Sequence, residues 1–264
     1  MHMLFGAQSG WGKSLHFQSY AEQNIGASNY DAGIILDYSD EYRGLVKAGY
    51  ASHWICGERE LSWSRSDWRA FIQANPQVVL ARVEDLSPHR WRELCATVVG
   101  AIRSMHNAQA FLAIDEAHFV APERQLPESV GELATTGRGA GDSAVFITQR
   151  LAKIANDVIT QCQAAMLGGF DGSLSRLSEA IEYPPEAHKP GGKRVPGLPE
   201  SLHTELGESI SVRKFEEDGQ ITGSEWIYSD DSGERTRIDT TGLADRMESE
   251  HIGQEGNPIH RPDY

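Results

Sequence analysis

The sequence predicts an α/β fold in which a mostly parallel sheet is flanked by helices, with a small C-terminal β-hairpin and a flexible tail. Three observations support this prediction. Short apolar runs alternate with helical stretches over residues 1–182, which is typical of a parallel sheet with helices on its faces. A glycine-rich turn separates the first apolar run from the first helical stretch. From Tyr183 onward this alternation ends, and proline and glycine become frequent.

The predicted strands are short and apolar, and most of them lead into a predicted helix. The first strand covers residues 2–5 and passes through the glycine-rich turn into a helix over residues 13–24. The other predicted strands cover residues 32–37, 53–56, 77–83, 110–114, 144–148 and 164–167. The other predicted helices cover residues 66–73, 87–105, 126–136, 154–161 and 174–181, and Ser87-Pro88 begins the longest as a cap residue followed by proline.

We divide the chain into three parts. Residues 1–182 form the predicted core. Residues 183–228 form a C-terminal extension of the core, in which a loop leads into a hairpin of residues 208–215 and 221–228 closed by Asp218-Gly219. Residues 229–264 are polar, contain few large apolar side chains, and form the predicted mobile tail.

Length and composition exclude several classes of protein. The 264 residues suffice for one well-cored domain with additions. No apolar run reaches the roughly 18 residues of a spanning helix, so we expect no membrane insertion. The first residues lack the pattern of a secretory signal, and we expect a cytoplasmic protein. The three cysteines are far apart and fit neither a zinc site nor a disulfide framework, so we expect them to be buried apolar residues.

The charge balance argues against general affinity for nucleic acids. The formal net charge is −14, and only six of the 24 basic residues are lysines. Because affinity for DNA comes mainly from phosphate neutralisation, any DNA contact must be concentrated locally, for example around a pore. An acidic, lysine-poor surface is typical of proteins that stay soluble in concentrated salt, so a halophilic archaeon or its virus is one hypothesis for the source. An ordinary acidic cytosolic protein is the alternative.

Residues 7–14, Ala-Gln-Ser-Gly-Trp-Gly-Lys-Ser, match the phosphate-binding loop pattern known as Walker A, with alanine in place of its first glycine. Gly10 and Gly12 allow the backbone N–H groups to turn towards phosphates. We expect Lys13 to reach the β- and γ-phosphates of ATP and the Ser14 hydroxyl to bind Mg²⁺. A chance glycine-rich turn is the alternative, but a strand precedes the match and a helix follows it. The predicted nucleotide-binding residues are Gln8, Ser9, Gly10, Trp11, Gly12, Lys13, Ser14 and Leu15.

Two carboxylates, Asp115 and Glu116, directly follow the apolar strand of residues 110–114. Ligands bind at the carboxyl ends of the strands in an open parallel sheet. We therefore expect Asp115 to hold Mg²⁺, directly or through water, and Glu116 to orient and deprotonate the attacking water, as in a Walker B motif. The alternative is that an Asp-Glu pair merely opens a loop.

Gln149 follows another buried strand, residues 144–148. A glutamine at this strand end would lie between the phosphate loop and the acid pair, where it can sense the γ-phosphate or position water. The alternative is a polar strand end that caps the next helix.

Four segments resemble the HerA/FtsK branch of P-loop ATPases, which contains ring-forming DNA translocases and virus packaging motors. Residues 37–42 are similar to its Asp-x-x-Gly-Glu-Tyr signature, with Asp40 in place of glycine. Residues 114–118 resemble its acid strand. Residues 136–141 and 147–150 resemble its arginine-glycine segment and glutamine strand, and residues 154–162 resemble the helix that follows. The resemblance spans residues 3–182, with weaker similarity in residues 198–212.

This resemblance implies a RecA/FtsK-like P-loop fold and an Mg²⁺-dependent ATPase that forms a homo-oligomeric ring, expected to be a hexamer, around double-stranded DNA. Such rings donate an arginine across the subunit interface. Arg138 is the first candidate for this catalytic role and Arg150 the second, while a solvated loop cation is the alternative for Arg138. Glu41 is a candidate for the same interface, with a surface acid as its alternative.

The chain has no room for the N-terminal barrel of the cellular helicase, nor for the membrane or winged-helix portions of the chromosome pump, so the resemblance is to a minimal motor. This size favours a viral genome-packaging ATPase in the host cytoplasm or the virion, with capsid or membrane-vertex proteins as further partners. The alternatives are a nucleotide switch or assembly factor that moves no DNA, and a HerA-like DNA-end-processing helicase. A small-molecule kinase is disfavoured because no arginine-rich lid follows the acid strand.

Overall fold

The computed structural model describes residues 1–27, 29–105, 108–172 and 174–253, and within them ten strands and eight α-helices make up the regular structure. The strands are β1 (His2–Gly6), β2 (Ala32–Asp37), β3 (Ser52–Cys56), β4 (Gln77–Arg82), β5 (Ala110–Ile114), β6 (Ser143–Thr148), β7 (Ala164–Leu167), β8 (Lys214–Glu217), β9 (Gln220–Asp230) and β10 (Arg235–Asp239). The helices are α1 (Lys13–Asn24), α2 (Arg43–Lys47), α3 (Glu58–Leu61), α4 (Arg65–Ala74), α5 (Pro88–Arg103), α6 (Ala117–Val120), α7 (Glu128–Thr136) and α8 (Asn156–Gln161).

The strands form one open sheet in the order β10-β9-β7-β1-β6-β5-β2-β4-β3, and β8 pairs with β9 outside this path. The seven strands from β7 to β3 are parallel to one another, whereas β9 runs antiparallel to both β7 and β10. The predicted fold class, a mostly parallel sheet flanked by helices, is therefore confirmed.

The strand order brings the carboxyl ends of four strands together at one end of the sheet. Strand β1 lies between β7 and β6, and β6 in turn pairs with β5, which pairs with β2. Because these strands are parallel, the segments that follow them emerge side by side. Four segments thus meet at this end of the sheet: the glycine-rich turn, Gln149, the Asp115-Glu116 pair and the residues after Asp37.

Strands β1, β2, β5 and β6 are buried at every position because both faces of the sheet are covered. All five residues of β5 are buried, as are all six of β2. Helix α5 contacts α4, α6 and α7, while α1 contacts α2. Among the described residues, no helix combines the length and the hydrophobicity needed to cross a lipid bilayer. The expectation for the cysteines holds for Cys56 and Cys95, which are buried, and Cys162 is partly buried.

An aromatic cluster joins the C-terminal strand β9 to the first strand and first helix. The ring of Phe5 in β1 lies 5.2 Å from both His16 and Trp226, and His16 lies 4.7 Å from Trp226. Burial of His16 lowers its pKa to about 4, so this ring packs in its neutral form. Strand β9 is consequently part of the same hydrophobic core as the glycine-rich turn.

The C-terminal part of the chain differs from the sequence-based expectation. The predicted hairpin is present, but its first strand is shorter and lies later in the chain, at Lys214–Glu217. Asp218 (φ 50°) and Gly219 (φ 78°) form its turn. The predicted tail, residues 229–264, begins inside β9 and contains β10, which was not predicted because only Ile238 in Arg235–Asp239 is a large apolar residue. Residues 254–264 of that tail lie outside the described residues.

A second difference concerns the helix predicted over residues 174–181. The structure contains only a short 3-10 turn there, Leu177–Glu179. A helix of two turns gains few internal hydrogen bonds against the cost of nucleation, so tertiary packing decides whether it forms.

We expect Gly33→Ala to destabilise the protein because α1 ends directly against β2 at this residue. A Cβ atom on Gly33 would lie 2.2 Å from the carbonyl oxygen of Ile25 and 2.7 Å from its Cγ1 atom. Overpacking of this kind costs about 1–3 kcal/mol of unfolding free energy, measurable by urea denaturation. The matched control is Gly26→Ala, where a Cβ would meet nothing within 4 Å. Equal stability of the two variants would contradict the steric clash expected at Gly33.

Candidate functional site

The glycine-rich turn leads from β1 into α1 with two residues in the left-handed backbone region. Gly10 has φ 70° and Gly12, which precedes α1, has φ 76°. Glycine adopts this region without steric cost, which explains both glycines of the pattern. The first N–H groups of a helix have no partner within the helix and carry its partial positive charge. Together they form a site suited to phosphate.

Trp11 fixes this turn to the C-terminal half of the molecule. Its side chain is 1% exposed, and its Nε1 atom donates a hydrogen bond to the carbonyl oxygen of Glu225 at 3.2 Å. The Ser224 hydroxyl donates to the carbonyl oxygen of Trp11 at 2.8 Å. A Cβ on Gly168 or Gly169 would lie within 2.5 Å of the Trp11 ring, so these glycines make room for it. The Trp11 side chain thus belongs to the core, and only its backbone is available to a ligand.

Lys13 lies next to the acid pair predicted from the sequence. Its Nζ atom is 3.7 Å from Oδ1 of Asp115 and 4.0 Å from Oε1 of Glu116. The N–H group of Asp115 donates to the carbonyl oxygen of Leu36 at 2.9 Å, which continues the pairing of β5 with β2 beyond the end of β5. Two segments about a hundred residues apart in sequence therefore lie close enough to contact one ligand.

Glu116 is held in place by its backbone and by two side chains. It has φ 44°, a left-handed conformation that is uncommon for a residue other than glycine. The Gln149 amide nitrogen lies 2.9 Å from Oε1 of Glu116 and donates to it, and Nδ1 of His118 lies 3.1 Å from Oε2. His118 also lies 3.3 Å from the Thr148 hydroxyl. Thr148, the last residue of β6, thus contacts His118, and Gln149, which follows it, contacts Glu116.

Burial and local charge act differently on Lys13 and the two acids. Burial raises the pKa of Asp115, and the charge of Lys13 only partly opposes this. Burial would also raise the pKa of Glu116, but its contact with His118 and the charge of Lys13 hold that pKa below its usual value. Although burial lowers the pKa of Lys13, the charges of Asp115 and Glu116 raise it above its usual value. Lys13 is therefore a cation and Glu116 an anion at neutral pH.

Two more acids lie near the site, Asp37 at the end of β2 and Glu41 in the segment that follows it. The Ser14 hydroxyl donates a short hydrogen bond to Glu41, and burial raises the pKa of Glu41. Asp37 is fully buried and accepts a hydrogen bond from the N–H group of Tyr42 at 3.0 Å. Burial, followed by the nearby charge of Asp115, raises the pKa of Asp37 well above its usual value. Glu41 therefore lies beside the predicted Mg²⁺ ligand Ser14 in its own chain.

Asp40 occupies the position where the resembling family has glycine. Its φ of 56° is in the left-handed region, which explains why glycine suits this position and why aspartate, which tolerates that region, can replace it. Its carboxylate accepts a hydrogen bond from Arg43 Nε at 2.8 Å and lies 3.0 Å from His53. Asp40 thus fixes the turn and points away from the ligand side.

An open cleft of about 490 Å³ lies over these residues. Seven of the eight predicted loop residues line it, all except Trp11, together with Glu116 and Gln149. Asp115 lies below the cleft and is 2% exposed. Sequence reasoning missed four lining residues as parts of this cleft: Ser39, Glu41, Ile221 and His251. Glu41 stood in a recognised motif, but no local pattern marked Ile221 or His251.

The two candidate arginines lie at opposite ends of strand β6, Arg138 before it and Arg150 after it. Arg150 directly follows Gln149 and is exposed, and its charge is one of those that oppose the effect of burial on the pKa of Glu116. Arg138 lies in a 3-10 turn before β6. It is near the Met1 amino group, whose pKa is lowered first by burial and then by the charge of Arg138. The structure therefore brings Arg150 near the cleft of its own chain and does not bring Arg138 there.

The oxygen atoms near Lys13 are of the kind that Mg²⁺ prefers. Ser14 offers a hydroxyl group, and Glu41 and Asp115 offer carboxylates, whereas zinc-type sulfur ligands are not part of the cleft lining. Within the described ranges, no group of three or more His, Cys, Asp or Glu side chains is arranged to hold a metal ion. Mg²⁺ usually keeps several waters and binds one or two carboxylates plus substrate phosphates, so the residues fit such an ion.

Neither the protein-family models nor the curated proteins gave a match to this chain. Solved structures do match it. The genome packaging NTPase B204 from Sulfolobus turreted icosahedral virus 2, in complex with ATP-gammaS, has a TM-score of 0.53 and 16% identity, covering 89% of this chain and 95% of that chain. B204 from Sulfolobus turreted icosahedral virus, a DNA-packaging ATPase, has a TM-score of 0.53 and 15% identity over 89% and 95%. VirB4 of Thermoanaerobacter pseudethanolicus has a TM-score of 0.56 and 11% identity over 90% and 88%.

At these identities the likeness shows the fold. The chain has the fold of these ATPases, consistent with the HerA/FtsK-type P-loop architecture that its motifs resemble.

Proposed function

We propose that the chain is an ATP-hydrolysing motor that moves double-stranded DNA through a homo-oligomeric ring, a hexamer, to package a viral genome in the host cytoplasm. The observation that carries the proposal is the position of Lys13 Nζ, 3.7 Å from Asp115 and 4.0 Å from Glu116. This distance supports the proposal because the glycine-rich turn and the two carboxylates are then close enough to contact one triphosphate. The fold shared with B204, a DNA-packaging ATPase, supports DNA as the second substrate.

In this proposal the loop binds the triphosphate through fixed donors and charge. The N–H groups around Gly10 and Gly12 and the first turn of α1 donate to phosphate oxygens. Lys13, which is paired with the acids in the structure, contributes its charge to the β- and γ-phosphates. Ser14 and Asp115 would hold Mg²⁺, which neutralises charge on the phosphate oxygens when it is bound.

Glu116 acts as the general base towards water. It is ionised because the contact with His118 and the charge of Lys13 lower its pKa, so it can accept a proton. Gln149 holds Oε1 of Glu116 and lines the cleft next to it, where its amide can also orient the water. His118 is a positioning residue on the other carboxylate oxygen. Together they fix the direction from which water approaches the γ-phosphate.

The two arginines take different parts in this proposal. A ring is built from heterologous contacts, in which different surfaces of neighbouring copies meet. An arginine that serves a neighbour's site must therefore lie away from the site of its own chain, as Arg138 does. Arg150 lies at its own site and acts there in cis. Arg138 is thus the proposed finger in trans.

For the nucleotide site, we expect Lys13→Ala to abolish ATP binding and hydrolysis because it removes the cation that faces the phosphates. Glu116→Gln is expected to bind ATP and to lower kcat by on the order of 10²–10⁴-fold, since it removes the general base. Nucleotide affinity and phosphate release measure the two effects separately. The control is Lys47→Ala, on the exposed end of α2. Wild-type hydrolysis by Lys13→Ala would show that the loop is not the site.

For DNA, we expect saturating duplex DNA to raise the ATPase rate, because a translocase couples hydrolysis to movement. The net charge of −14 implies a local contact, so the stimulation should weaken steeply with salt. The steady-state rate is measured over a salt series, with Glu116→Gln as the control for contaminating ATPases. An unchanged rate at every salt concentration would leave a nucleotide switch or assembly factor as the function.

For the arginines, we expect Arg138→Ala and Arg150→Ala each to lower kcat, and subunit mixing to separate them. A trans finger is worth roughly 10³–10⁵-fold in kcat. Lys13→Ala subunits retain Arg138, so mixing them with Arg138→Ala subunits should restore part of the activity. The same mixture with Arg150→Ala subunits should restore none, because each active site then lacks Lys13 or Arg150. No recovery in the first mixture would argue against Arg138 as the trans finger.

A further inference from the structure

A short C-terminal segment, residues 248–251, lies across helix α1, and we call it the strap. Gln18 of α1 is fully buried, and its Nε2 atom donates to the Ser249 hydroxyl at 2.6 Å and lies 3.2 Å from the carbonyl oxygen of Glu250. The Ser249 hydroxyl donates a short hydrogen bond to Glu22, whose carboxylate also accepts from the N–H group of Ser249 at 2.6 Å. Buried polar contacts of this kind hold a segment at one position.

Helix α2 leaves space for the strap backbone at Gly44. A Cβ atom on Gly44 would lie 2.0 Å from the carbonyl oxygen of Glu250 and 2.5 Å from Nε2 of Gln18. Gly44 is in a helical conformation, where alanine would ordinarily be the better residue. The glycine therefore corresponds to the close approach of the strap backbone. The ion pair of Lys47 with Glu250 on the outer side is more than half exposed and contributes little.

The strap brings His251 into the lining of the same cleft that contains Lys13 and Ser14. Nδ1 of His251 lies 2.9 Å from Oε1 of Gln18. Because Nε2 of Gln18 donates to the strap oxygens, its Oε1 atom is an acceptor, and Nδ1 of His251 must carry the proton. Burial lowers the pKa of His251, which favours the neutral ring. In a neutral imidazole with the proton on Nδ1, the second nitrogen, Nε2, is an acceptor.

We propose that His251 is a nucleoside-binding residue, whose Nε2 atom accepts a hydrogen bond from a donor group on the nucleoside part of ATP. Phosphate oxygens are acceptors, so an acceptor nitrogen does not suit them, whereas the ribose hydroxyls and the 6-amino group of adenine are donors. The strap then completes the nucleotide site with a residue more than 230 positions from the loop. This inference rests on the proposed function of the cleft.

The test is the affinity for ATP, 2′-deoxyATP, 3′-deoxyATP and purine riboside triphosphate, measured in a Glu116→Gln background so that the ligand is not hydrolysed. We expect His251→Ala to weaken ATP binding about 3–10-fold, the effect of one lost neutral hydrogen bond. The parent, Glu116→Gln, should bind the one analogue that lacks the donor group more weakly than ATP, by a similar factor. In His251→Ala this difference in affinity should disappear. His251→Gln, which offers an amide oxygen, should recover part of it.

Two further variants separate a local contact from a general disturbance. Gly44→Ala should displace the strap and reproduce the loss of affinity and of discrimination. Lys47→Ala removes only the exposed ion pair and should bind ATP like its parent. ATP affinity of His251→Ala within twofold of its parent, or discrimination that persists in it, would overturn the inference. If Lys13→Ala still abolishes binding in that case, the proposed function stands without it. ATP affinity that does not depend on Lys13 would overturn both.

Discussion

Lys13 faces three acids, Asp115, Glu116 and Glu41, at the carboxyl end of the sheet, and the rest of the site depends on this interaction. Buried carboxylates are costly unless a cation or hydrogen bonds compensate them. Lys13 compensates Glu116, while Asp115 and Glu41 have raised pKa values because compensation is incomplete. The site therefore contains more carboxyl groups than the charge of Lys13 can neutralise. Such a site suits a divalent cation bound together with a triphosphate.

The parallel part of the fold could be predicted because its strands are buried on both faces and read as unbroken apolar runs. No local pattern predicted the order of the strands across the sheet. The expectation that Gln149 lies between the phosphate loop and the acid pair nevertheless agrees with the order β1-β6-β5. Strand β10 was missed because its polar side chains form contacts remote in sequence, such as that of Arg235 with Glu182. Edge strands are fixed by backbone pairing more than by composition, so sequence periodicity carries little information about them.

The site shows the same division. The positive φ values of Gly10 and Gly12 and the strand end before Asp115 are local requirements, so the sequence displays them directly. By contrast, the inward direction of Trp11 depends on the space left by Gly168 and Gly169. His251 reaches the cleft only because of how the strap is held by α1 and α2. Contacts between residues so distant in sequence leave no periodic signal, and only the folded structure reveals them.

Two hydrogen bonds, from Trp11 to Glu225 and from Ser224 to Trp11, hold the glycine-rich turn against β9 before any ligand arrives. A preorganised loop loses little conformational entropy on binding, so more of the contact energy is retained as affinity. In the proposed motor, a displacement of this turn on nucleotide binding would reach β9 directly, because β9 accepts the hydrogen bond of the Trp11 indole. In the motor that we propose, mechanical work would therefore emerge at the antiparallel margin of the sheet, formed by β9 and β10, sooner than from flexing of the turn.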